Sequence, residues 1–161
     1  MKNTNTIKAS KSYTVKELLH FSIGHLRAAK FLYNNSPEFY DSAGHLSYLG
    51  IELLLKAWLL HSEGQHPKIH GLMTLWGKII SLNQKSLQTE KLDWMQQIDS
   101  HYNLRYPPES HPVETGSDDW DKTEKLFSEL CLLMPIALQK EIQELNFYEK
   151  GGRILLKKPI L

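Results

Sequence analysis

Cysteine is nearly missing from this chain. Cys131 is the single one among 161 residues, which excludes an internal disulfide and points to a reducing compartment. Charge of either sign is also in balance. Nineteen Lys and Arg offset eighteen Asp and Glu, so the net charge of +1 lacks the basic excess of a non-specific nucleic-acid binder. The polar opening MKNTNTIKASKS carries no apolar signal segment, and no apolar run is long enough for a membrane span. A cytoplasmic location without membrane attachment is the expectation. No Gly-rich phosphate loop and no internal repeat occurs, and alternation of strand type is absent outside the last residues. An all-α domain remains.

What is present is organised around residues 41–63, DSAGHLSYLGIELLLKAWLLHSE. Ser42 is a candidate cap at its start and Gly64 a stop at its end. Leu46, Leu49, Leu53, Ala57 and Leu60 recur at helical spacing as the main buried stripe. Leu54, Trp58, Ile51, Leu55 and Leu59 widen the apolar surface so far that other helices must wrap it. Glu52 and Lys56 interrupt it at i, i+4 with Glu first, the favourable order for a helical ion pair. His45 lies seven residues before Glu52 on the same side. Two readings stay open for the pair, a structural ion pair and the lining of a polar site.

Upstream, residues 1–12 are polar and expected to be disordered. Thr14 and Glu17 form a capping-box pattern that opens a helix running to about Asn34, closed by Asn35, Ser36 and Pro37. Downstream, Leu72, Leu75, Trp76, Ile79 and Ile80 predict a third helix ending near Asn83. A fourth, with Thr89 as candidate cap, carries Leu92, Met95, Ile98 and Tyr102. Pro107, Pro108 and Pro112 then impose a loop. Ser117 opens a fifth helix reaching Leu145, with Pro135 expected to kink it. Residues 146–161 hold Gly151 and Gly152 between two apolar runs and read as a short hairpin or tail. The pattern predicts an up-and-down antiparallel bundle of about five helices over residues 13–145.

His61, His66 and His70 cluster with Glu63, but their spacing matches no zinc signature, so each is read as a loop or capping residue. His20 and His25 stand at i, i+5 and share no helical face. No metal and no cofactor is expected.

The run from His45-Leu46 through Gly50, Ile51, Glu52 and Lys56-Ala57, then His66-Pro67 and His70-Gly71-Leu72, resembles the HEPN domain family. Arg105-Tyr106-Pro107 matches the family's RYP segment, and the resemblance covers about residues 13–145. It implies an antiparallel helical bundle that often forms homodimers and is linked to nucleotide binding or RNA cleavage. A nucleotidyltransferase or an antitoxin is the partner protein it implies. Its ligand-binding residues would be His45, Glu52, Lys56, Arg105 and Tyr106. The family's ribonucleases use an Arg and a downstream His, a spacing that Arg105 and His111 fit. Arg105 would steady charge on the phosphate and His111 would move the proton, without metal. The balanced charge and the Pro-rich segment place binding of a nucleotide, RNA or partner protein first. A metal-independent endoribonuclease is the alternative.

Overall fold

The computed structural model describes residues 13–65, 67–105 and 113–147, with the backbone alone at 105, 146 and 147. The expected disordered start and C-terminal hairpin lie outside the described residues. Within them are six α-helices and no strand: α1 (Val15–Asn35), α2 (Tyr40–Glu63), α3 (Leu72–Asn83), α4 (Thr89–Ser100), α5 (Asp119–Leu133) and α6 (Ile136–Phe147). Short 3-10 turns at Pro37–Phe39 and His101–Arg105 precede α2 and follow α4. No helix among the described residues is long and apolar enough to cross a membrane.

Local chemistry sets the helix ends. Thr14 accepts from the Glu17 amide at 3.2 Å while its own amide donates to Glu17 Oε2 at 2.8 Å, the reciprocal box its sequence predicts. Gly64, at φ 72°, takes the left-handed conformation that ends α2. Two expected caps fall elsewhere. Ser42 lies inside the first turn of α2, because Pro37–Phe39 already winds the chain and the helix grows straight out of that turn. Thr89 is the first helical residue of α4 rather than its cap; Gln88 holds that position without a side-chain bond.

The expected fifth helix is two. Met134 adopts an extended conformation before Pro135, which has no amide to donate and disfavours helix at the preceding residue. Helix α6 restarts at Ile136 and packs back on α1. Pro135 therefore makes a corner where a kink was expected.

Helix α2 is the centre, and α1 is its main neighbour. The predicted stripe is displaced: Leu46, Leu49, Leu53 and Leu60 are only half-buried, whereas Ile51, Leu54, Leu55, Trp58 and Leu59 are fully enclosed. The reason is Gly50. An added Cβ there would lie 2.5 Å from Leu26 Cγ and 3.2 Å from the Ser22 carbonyl, so α1 crosses α2 against bare backbone. Ser22 Oγ donates to the Gly50 carbonyl at 2.7 Å inside this contact. The closest approach, not the richest leucine row, sets the buried face. Gly50→Ala is expected to cost about 1–3 kcal/mol through overpacking, read from the urea midpoint; an unchanged midpoint would show that Leu26 moves aside freely.

Candidate functional site

The two polar residues of α2 are held where apolar ones would be expected. Glu52 is 3% exposed and Lys56 7%. Lys56 Nζ meets Glu52 Oε1 at 2.6 Å, and His70 Nδ1 meets the same oxygen at 2.8 Å. A buried ion pair needs such additional bonds, since taking both charges out of water costs several kcal/mol per ion. A carboxylate can only accept, so His70 Nδ1 carries the proton and Nε2 faces away from Glu52. The His70 side chain is 61% exposed. One buried carboxylate thus fixes an ammonium inside the fold and an imidazole at its surface.

An aromatic wall continues from His70. Its ring lies 6.1 Å from Tyr102, Tyr102 lies 5.5 Å edge-on to Tyr48, and Tyr48 stacks on His45 at 6.2 Å and 13°. Tyr102 is presented by the His101–Arg105 turn, which seats on α2 because Gly44 leaves room: a Cβ there would come within 3.0 Å of Leu104 and 3.1 Å of His101. His45 Nδ1 reaches the His101 carbonyl at 3.3 Å. On the other side, Asp99 Oδ1 accepts from the Leu72 amide at 2.7 Å and caps α3. The walls enclose an open groove of about 450 Å³ lined by Tyr48, His70, Gly71, Asp99 and Tyr102, with Gln96 and Ser100 at its rim.

His45, Glu52 and Lys56, all predicted from sequence, share this region, joined by the Tyr48–Tyr102 contact and the Glu52 bonds. Arg105 is the last residue of the turn that carries Tyr102. Tyr106 and His111 lie outside the described residues, as does His66. His70 and Asp99 were not among the predicted site residues. The signal for His70 was its place just ahead of α3 in the segment His70-Gly71-Leu72; the buried Glu52 had to find a partner beyond Lys56. Among the described residues no three His, Cys, Asp or Glu side chains gather as metal ligands. Cys131 is enclosed, and burial pushes its thiol up, away from nucleophilic use.

His101, behind the wall, is 2% exposed. Burial is the main cause that lowers it from the ordinary 6.5; Asp119, the Gly44 backbone and Asp41 pull the other way, and His45 adds to the lowering. His25 is lowered as well, by burial and then by His45. A histidine lowered in the folded state binds fewer protons there than in the unfolded chain. Stability is therefore full above pH 6.5 and falls as pH drops below it toward the folded-state values. Melting temperature should decline on acidification, and His101→Gln should flatten that decline.

Comparison with known proteins gives one result. A family model described as HEPN domain matches residues 15–134, whereas no curated protein and no solved structure matches. The match spans α1 to the end of α5, including the Glu52–Lys56 pair, the His70 loop and the turn that ends in Arg105. This chain belongs to the HEPN domain family, helical modules related to nucleotides and RNA.

Proposed function

We propose that this HEPN domain is a binding module, with its ligand a nucleotide or a segment of RNA seated beside Glu52, Lys56 and Arg105. The observation that carries the reading is the double use of Glu52 Oε1. It holds Lys56 inside the fold and His70 beside Tyr102 of the Tyr48–Tyr102 wall. Structural stability alone does not call for such a group, since apolar residues in place of a buried ion pair are often as stable. A guanidinium at the end of the Tyr102 turn suits a phosphate, which it contacts bidentately.

The reading extends to assembly. The module acts as a homodimer beside a nucleotidyltransferase or antitoxin partner, as in toxin–antitoxin pairs. Phe31, Leu132 and Ile136, 63%, 61% and 70% exposed, are apolar side chains that a second copy would cover. Sedimentation at roughly tens of micromolar should give a dimer, a concentration at which a standard-sized interface holds. A monomer throughout that range would end the dimer reading.

The test of binding compares Arg105→Ala with His111→Ala. Arg105→Ala is expected to weaken nucleotide or RNA binding about tenfold or more, the worth of a charge-assisted hydrogen bond. His111→Ala should leave binding nearly intact. Metal-free RNA cleavage by the wild type, abolished in a folded His111→Ala, would replace this reading with the endoribonuclease one.

A further inference from the structure

We infer that the outer face of α1 is the centre of the interface that pairs two copies of this chain. The inference rests on the proposed homodimer and says which surface makes it.

Phe21, Gly24, Ala28, Phe31 and Asn35 are all exposed, and they recur at spacings of three, four, three and four. That is the seam of a helix able to lie along another helix. The other sides of α1 are occupied. Ser22 and Leu26 lie against Gly50 of α2, and Lys30 holds Glu124 of α5 at 3.3 Å. The seam itself carries no charged residue, and the core of an interface is likewise depleted of charge. Gly24 is its most informative position. A glycine inside a helix is destabilising relative to alanine, yet an added Cβ here would meet nothing within 4 Å. On α2, Gly50 admits Leu26 of α1, and Gly44 admits Leu104 and His101. Gly24 offers the same close approach on a face left open among the described residues.

Two features select a second copy as the occupant. The seam reads large, small, small, large from Phe21 through Gly24 and Ala28 to Phe31. Under twofold symmetry, with the helices parallel or antiparallel, small meets small and ring meets ring. The patch therefore fits itself, as an isologous interface requires. The second feature is area. Tyr13 extends the patch by its edge-on contact with Phe21 at 6.0 Å. Phe31 is 63% exposed and Tyr13 and Phe21 46% each, so the three rings present roughly 300 Å² per copy. Two copies, with the rest of a 21-residue helix between them, bring the total to roughly 1,000 Å², the low end for a specific interface. A weak dimer is expected.

Gly50 also fixes where the groove lies. Tyr48 and Glu52 stand two residues to either side of it, about 200° round the helix. The groove lined by Tyr48 and His70 therefore opens on the side of α2 away from α1. Pairing through α1 leaves both grooves uncovered and shares neither between the copies.

Sedimentation equilibrium of the full chain compares wild type with Gly24→Leu, Phe31→Glu and the double variant Leu132→Glu, Ile136→Glu. Gly24→Leu and Phe31→Glu should each raise the dimer dissociation constant about tenfold or more, as loss of a central contact does. Neither should lower the melting temperature of the dilute monomer. A Cβ at residue 24 has open space, and the Phe31 ring already faces water. The double variant, at the corner between α5 and α6, should weaken the dimer less. A dimer indifferent to both α1 variants, or lost only through the corner, would overturn the α1 face and leave the homodimer standing. A wild type that stays monomeric would overturn the homodimer together with its interface.

Discussion

Glu52→Ala is expected to destabilise the domain by about 3–5 kcal/mol, the cost of leaving a buried charge without its counter-ion. The stranded group is Lys56, whose side chain is 9% exposed and whose ammonium sits 2.6 Å from Glu52 Oε1. His70 loses its acceptor in the same step, so the loop before α3 should loosen and nucleotide affinity should fall even well below the melting temperature. Glu52→Gln keeps the shape and one accepting oxygen, and should cost less while still weakening the ligand site. Replacing both members, Glu52→Leu with Lys56→Met, should recover much of the stability and none of the binding, because a well-packed apolar pair is often as stable as a buried ionic one. Urea denaturation of the four proteins measures this. A Glu52→Ala variant within about 0.5 kcal/mol of wild type would mean that Lys56 escapes to solvent and that the pair is not buried in solution.

The contrast between those two outcomes follows a division already visible in the sequence. Residues whose role is local were legible: Thr14 and Glu17 close their box, Gly64 ends α2, and Glu52 finds Lys56 one turn on. Each involves partners within four residues, where helix geometry alone fixes the distance. What depends on a second helix was not. Choosing Leu46, Leu49, Leu53 and Leu60 as the buried row weighed side-chain apolarity and missed the absence of a side chain at Gly50, which lets α1 come closest. His70 and Asp99 escaped for the same reason. Their partners, Glu52 and the Leu72 amide, lie eighteen and twenty-seven residues away. Pro135 was legible as a disruption but not in degree, since whether the chain kinks or turns a corner depends on whether α6 finds a surface, here on α1.

Trp58→Ala should produce a loss of the same size, about 3–5 kcal/mol, by a different route. Trp58 is 0% exposed and meets Trp76 of α3 edge-to-face at 6.1 Å and 66°, an apolar tie between the central helix and the helix that follows the His70 loop. Removing the fully enclosed indole leaves a cavity against Trp76 that the close-packed core fills only in part. The indole N–H has no hydrogen-bond partner among the described residues. Trp58→Phe therefore removes an unsatisfied donor together with part of the volume, two effects of opposite sign. Its cost should be well under half that of Trp58→Ala. Thermal melts of the two variants separate packing from polarity: equal losses would show that the N–H, not the filled volume, sustains the contact. Because α3 is anchored through Trp76 and capped by Asp99, Trp58→Ala should also shift His70 and weaken nucleotide binding, an effect Trp58→Phe should largely spare.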